Sequence, residues 1–248
     1  MYDYAILTAA AFLAGVLNTV AGGGTFLTFP ALVYTGLPVV AANATSAVAV
    51  FPGYLGGALG FRRELGLFDR RRLLATLAVT ACGGLVGSLL LLISSNEAFA
   101  MVVPFLLTLA TLVFALGDML QGWAKRHASG AAESPIGTLL VSIYGGYFNG
   151  GLGIVLLALF SFWGMRDLHM MNGLKNGLSF VLSAISVATF AVAGIVAWPQ
   201  AAVMMAAATI GGYCGAPLAR AMPRSVLRGI VIAVGAVMSV VFFARLLR

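Results

Sequence analysis

Six stretches of this chain, 39–61, 73–93, 98–121, 172–197, 200–219 and 226–247, each run for about the 20 apolar residues that a membrane-spanning helix needs. A chain carrying that many such runs has few folds open to it. Composition agrees: 8% of its 248 residues are charged, against roughly 25% in an ordinary soluble domain. Hydrophobic residues make up 61%, and so few charges cannot cover the surface of a water-soluble core. A soluble enzyme, a nucleic-acid binder and a disordered tail are excluded. The net charge of +7 does not point to nucleic acid, because the positive residues sit between the apolar runs. There they mark the cytoplasmic side of a bilayer. The N-terminal MYDYAILTAAAFLAG carries Asp3 where a signal peptide has its positive region, so it reads as the start of the first membrane segment.

Two further apolar stretches, 3–36 and 136–163, are too long for one span and are broken near the middle by AGGGT at 21–25 and FNGGLG at 148–153. Each is expected to be two short helical arms meeting at a glycine-rich tip. Non-helical backbone at membrane depth is tolerated only where protein or a water-filled cavity covers it, so the two tips are the first places to look for function.

Charges between the runs set the orientation. Residues 62–72 hold Arg62, Arg63, Arg70, Arg71 and Arg72, residues 122–135 hold Lys125 and Arg126, and residues 220–228 hold Arg220, Arg224 and Arg228. Residues 94–97 hold only Glu97, and the Trp198–Pro199 turn has no charge. The first three loops are therefore expected inside, with Arg166, and the last two outside. Arg245 and Arg248 would fall outside, against the rule.

The chain also repeats. A shift of 131 lays Asn18 on Asn149, Gly22 on Gly153, Leu37 on Leu168 and Thr45 on Asn176; a shift of 128 lays Gly66 on Gly194 and GGLVG at 83–87 on GGYCG at 211–215. Loop 62–72 and the turn near 194–199 are then equivalent, yet one holds five Arg and the other none. Equivalent loops face opposite sides. The expected fold is an all-α polytopic membrane protein of two inverted-topology repeats, each a Gly-broken helical hairpin plus three transmembrane helices. The first repeat is placed at 1–121, a cytoplasmic linker at 122–135 and the second, inverted repeat at 136–248.

Candidate site residues follow from the breaks. Consecutive glycines let the chain turn sharply and leave the next arm's first N–H groups unpaired, at a helix end that attracts anions. Gly22, Gly23, Gly24 and Thr25 at one tip, Gly150, Gly151 and Gly153 at the other, and Asn18 and Asn149 beside them are the candidate substrate ligands. Close helix packing is the ordinary reading of such small-residue patterns; two symmetry-related breaks, each with an Asn, favour a site. Lys175, in NGLKNG at 172–177, is the only lysine within an apolar stretch. It either snorkels to the interface or attracts an anion, with Asn176 beside it. Thr45 and Ser46 are the polar candidates at the equivalent place in the first repeat.

Other chemistry is sparse. Asp118 is expected near the cytoplasmic end of its helix, and His127 and His169 in solvated loops. No metal constellation is expected. Cys82 and Cys214 read as small buried residues, the paired methionines as packing, and Trp163 and Trp198 as interfacial anchors. An intramembrane protease would want a GxSG break with a membrane His, or two membrane Asp; GLSF at 177–180 lacks the second Gly. No enzyme activity and no cofactor are expected.

GVLNTVAGGGTFLTFPALVYTGLPVVAANATSAVAV at 15–50 resembles the first signature region of the sulfite exporter TauE/SafE family, the toluene sulfonate uptake permeases. NGGLGIVLLALFSFWG at 149–164 and NGLKNGLSF at 172–180 are similar to its second-repeat counterpart. The resemblance implies a multi-pass transporter of the bacterial plasma (inner) membrane for small sulfur-containing anions such as sulfite or organosulfonates, with the Gly-break and Asn/Thr positions facing the substrate. Its partners would be that anion and the lipid bilayer, with no nucleic acid. Proton coupling and oligomeric state stay open, and scarce membrane carboxylates favour export over import. The competing readings are a permease for another small metabolite or a cation, and a membrane assembly factor that transports nothing.

Overall fold

The computed structural model describes residues 2–20, 23–60, 62–126, 134–221 and 224–246. These form helices α1 (Tyr2–Val20), α2 (Thr25–Tyr34), α3 (Val39–Gly60), α4 (Arg62–Gly66), α5 (Arg70–Ile93), α6 (Asn96–Ala115), α7 (Gly117–Arg126), α8 (Pro135–Tyr147), α9 (Leu152–Phe162), α10 (Leu168–Val192), α11 (Trp198–Ala221) and α12 (Arg224–Leu246). Side-chain caps fix several starts: Asp69 accepts from the Arg72 amide, Ser95 from Ala98, Ser134 from Gly137, and Asp167 from His169 and Met170. The two short arms stop alike. Gly36 after α2 and Gly164 after α9 take φ of 90° and 82°, a left-handed turn that a side chain resists.

Both long apolar stretches are broken as expected, into α1 and α2 and into α8 and α9. One expectation fails: 98–121 is not one span. The helix ends at Leu116, and Gly117 opens α7, which packs Trp123 edge-on against Phe162 of α9. Asp118 therefore sits in the exposed first turn of α7, not at the end of a span. Cys82 is also not buried. It lies on the exposed face of α5, because Gly83, Gly84 and Gly87 form that helix's packed face. The side chains of Cys214 and Arg245, and the residues His127 and Arg248, lie outside what the structure describes. His169 is exposed in the first turn of α10.

Among the described residues, four helices are long and apolar enough to cross a membrane: Val39–Gly56, Arg70–Ile93, Asn96–Val113 and His169–Val192. Their outward faces stay apolar, as with Leu85, Leu89, Phe105 and Leu109, which in water would be a liability and in lipid is a solvated surface. This is a polytopic α-helical membrane protein.

The packing gathers the charged turns at one end. Leu65 and Phe68, from the arginine-rich 62–72 segment, and Leu73 just after it join Trp163 and Met165, beside Arg166, around the cluster that holds Leu174 of α10. At the other end the Val40 amide donates to Asn96 Oδ1 and the Ala197 amide to Thr45 Oγ1. That ties together the charge-poor turns before α3, α6 and α11.

The longest helix contacts are made through small residues. Gly83 and Gly87 of α5 lie against Leu139, Ser142, Ile143 and Gly146 of α8, while Gly211 of α11 lies against the Phe12 backbone of α1. A methyl group on Gly211 or Gly87 would overlap a carbonyl of the facing helix. Helices without a hydrophobic drive between them approach closely only where side chains vanish.

Candidate functional site

The second break is built by the backbone of an asparagine. α8 ends at Tyr147, Phe148 caps it, and Asn149 then turns with φ of 58°, the one described non-glycine residue at positive φ. Asn tolerates that left-handed region better than other side chains do. Gly151 follows at φ of 69° and caps α9, and the Tyr144 hydroxyl donates to the Gly150 carbonyl across the turn.

The first break uses its asparagine differently. The Gly24 amide donates to Asn18 Oδ1 at 2.8 Å, so the side chain caps the N-terminus of α2. Gly24 has no room for a Cβ, because Asn18 fills that space. The carbonyls of Gly23 and Gly24 accept the first amides of α2, and the Thr28 hydroxyl bonds the Gly24 carbonyl and, at 2.6 Å, Ser46 Oγ on α3.

Between these breaks lies a narrow cavity. Thr25 from the start of α2, Asn43 and Ala47 of α3, the α8 terminus from Gly145 to Asn149, and Leu182, Ser183, Ser186 and Phe190 of α10 enclose it. Its free room is about 10 Å³, the space one water needs. Asn149, Ser183 and Ser186 are 7%, 1% and 2% exposed, and Asn149 Oδ1, Ser183 Oγ and Ser186 Oγ have no hydrogen-bond partner. Asn43 Nδ2 donates to the Tyr147 carbonyl at 2.8 Å. Buried polar atoms left unpaired carry a desolvation cost of about 1–3 kcal/mol each, and three of them around one space make this cavity the candidate site.

Of the sequence candidates, the structure brings only Thr25 and Asn149 to this cavity. Asn18 and Gly24 bond each other, Thr45 bonds the Ala197 turn, and Ser46 bonds Thr28. Gly150 and Gly151 are buried in the second turn, while Gly153, in the first turn of α9, is half-buried. Lys175 Nζ donates to Asn172 Oδ1 at 3.0 Å near the arginine-rich end, and Asn176 is half-buried beside it. Gly22 lies outside the described residues. Sequence reasoning missed Asn43, Ser183 and Ser186. The serines carried a legible signal, since Ser179, Ser183 and Ser186 recur at spacings of four and three along one helix face.

The family model described as Sulfite exporter TauE/SafE matches residues 7–242. The chain belongs to that family. A relative from Haemophilus influenzae, called a probable membrane transporter protein, is 28% identical over 92% of this chain and 89% of its own length. The probable membrane transporter protein YfcA of Escherichia coli K12 is 26% identical over 94% and 87%. ORF9 of a Sinorhizobium species, another probable membrane transporter protein, is 26% identical over 95% and 90%. No solved structure matches this chain. Family and fold together make it a multi-pass bacterial membrane transporter.

Proposed function

We propose that this chain is a secondary transporter, not an enzyme, moving a small anion such as sulfite, an organosulfonate or a related sulfur oxyanion across the plasma membrane. The observation that carries the reading is the pair of interrupted helices, buried in the centre of a chain of this family. Broken helices at membrane depth present backbone groups to a substrate without lipid contact. The proposed mechanism is alternating access by two inverted halves, 1–121 and 136–248, joined by the 122–135 linker. The reciprocal packing supports it: α1 of the first half lies on α11 of the second, and α8 of the second on α5 of the first. In the state described, the cavity is closed down to the room of one water, and an anion would enter as the halves rock apart.

Export is the favoured direction. One charge crossing 100 mV is worth about 2.3 kcal/mol, enough to expel a monovalent anion against roughly a fortyfold gradient. Lys175 has its ammonium on Asn172, and we assign it the role of drawing anions to the cytoplasmic mouth. Radiolabelled sulfite flux in proteoliposomes tests the reading. Saturable flux competed by other sulfur oxyanions is expected; no saturable anion flux sinks it. Lys175→Ala is expected to lower anion affinity about tenfold with expression intact, whereas unchanged affinity makes the lysine a snorkelling residue.

A further inference from the structure

We propose that the cavity between α3, α10 and the end of α8 is a sodium site, formed by Asn149, Ser183 and Ser186 with Asn43 and Thr25.

Four observations converge on a small monovalent cation. Every polar side-chain group lining the cavity is a neutral hydroxyl or amide: Thr25, Asn43, Asn149, Ser183 and Ser186. Oxygens of this kind suit a hard alkali ion, and the absence of a carboxylate among the lining residues disfavours calcium or magnesium, which draw on them. The lining also holds no group that titrates near neutral pH, so a proton has no base to sit on there. Size decides against the transported anion itself. A sulfur atom with three oxygens does not fit about 10 Å³, whereas a bare sodium ion, no larger than a water, does.

The fourth observation is electrostatic. Gly145, Gly146, Phe148 and Asn149 are the C-terminal turn and exit of α8, and the end of a helix carries roughly half a negative charge on its unpaired carbonyls. α2 contributes only Thr25 from its opposite pole. Interrupted helices present this C-terminal end, with unwound carbonyls, to coupling cations. Asn149 Oδ1, Ser183 Oγ and Ser186 Oγ, unpaired and buried, are the donors such an ion would take.

The site's use rests on the transporter reading, but its occupancy does not. If sodium enters as the anion leaves, the sodium gradient adds to the membrane potential in driving export.

The test needs no anion. Purified protein in detergent is melted in NaCl, KCl and choline chloride at equal ionic strength. Sodium is expected to raise Tm saturably by about 3 °C or more over choline, with potassium far less effective. Ser183→Ala and Ser186→Ala are each expected to keep the choline Tm within a few degrees and to weaken the sodium response at least tenfold in concentration. Their choline melts report folding separately from binding. Equal melting in all three salts overturns the proposal and leaves an ordered water in the cavity. A sodium response that survives in both variants also overturns it, since the ion then binds elsewhere. A protein that binds sodium but moves no sulfur oxyanion would retire the anion reading and leave this one standing.

Discussion

The two helix breaks carry an asparagine at equivalent positions, Asn18 and Asn149, and use it in opposite ways. At the first break Gly24 keeps a right-handed backbone and the side chain of Asn18 holds its amide. At the second, Asn149 itself turns the backbone, and its side-chain oxygen faces the cavity without a partner. One side-chain oxygen is consumed by the fold and the other is left unpaired. Asparagines that align in sequence therefore do different work in the two breaks, one bonding a backbone amide through its side chain and the other setting the backbone turn.

The largest effect should come from the part of the comparison where the halves are alike. Gly83 and Gly211 occupy equivalent positions, and each lets its helix touch the opposite half's broken arm. Gly83→Val and Gly211→Val are expected to cost about 3 kcal/mol or more each, by forcing long helices apart. The check is monodisperse yield and Tm after detergent extraction. Gly211 meets backbone of Phe12 and Gly83 meets the Ser142 side chain as well as backbone, so Gly211→Val should be the worse. A loss at one position alone would break the parallel between the two contacts.

The asparagines give the next effect and the sharpest contrast. Asn149→Ala is expected to lose about 1 kcal/mol through its positive φ, and Asn149→Gly to recover that loss, because glycine accepts the same backbone. Asn18→Ala should cost about 1–2 kcal/mol by orphaning the Gly24 amide. There Gly gives no rescue, while Asn18→Asp keeps the acceptor and does. Thermal melts of the five variants suffice. Rescue by glycine at both positions would mean that both breaks depend on backbone freedom, erasing the distinction.

The breaks, four of the spans and the nearness of the 62–72 turn to Arg166 were legible because glycine runs, apolar length and charge position are one-dimensional signals. The split at Leu116 was not, because AlaLeuGlyAsp stays apolar enough to continue a span, and only the packing of Trp123 on Phe162 makes the second helix worthwhile. The site was half legible. Thr25 and Asn149 stand next to glycines and were visible. Asn43, Ser183 and Ser186 lie inside ordinary-looking spans, where serine also serves as plain packing, and only the facing of α3 on α10 across the α8 terminus gathers them around one cavity. The bond Thr45 makes was illegible for the same reason: its partner is 152 residues away.

Thr45 and Ser46 supply the smallest and most selective contrast. They are adjacent and fully buried, and each makes a hydrogen bond, but with different dependents. Thr45 accepts the Ala197 amide at 3.0 Å, so Thr45→Val, nearly the same shape, leaves a backbone donor with nothing to bind, worth about 1–2 kcal/mol. Ser46→Ala removes a hydroxyl whose partner, Thr28, keeps the Gly24 carbonyl, so both sides of the lost bond are accounted for and about 0.5–1 kcal/mol is expected. The order of the two melts decides where the first break draws its rigidity. A costlier Ser46→Ala would show that the Thr28–Ser46 bond, not the Asn18 cap alone, holds α2 against α3, and that the first break is braced from the side that the second leaves open.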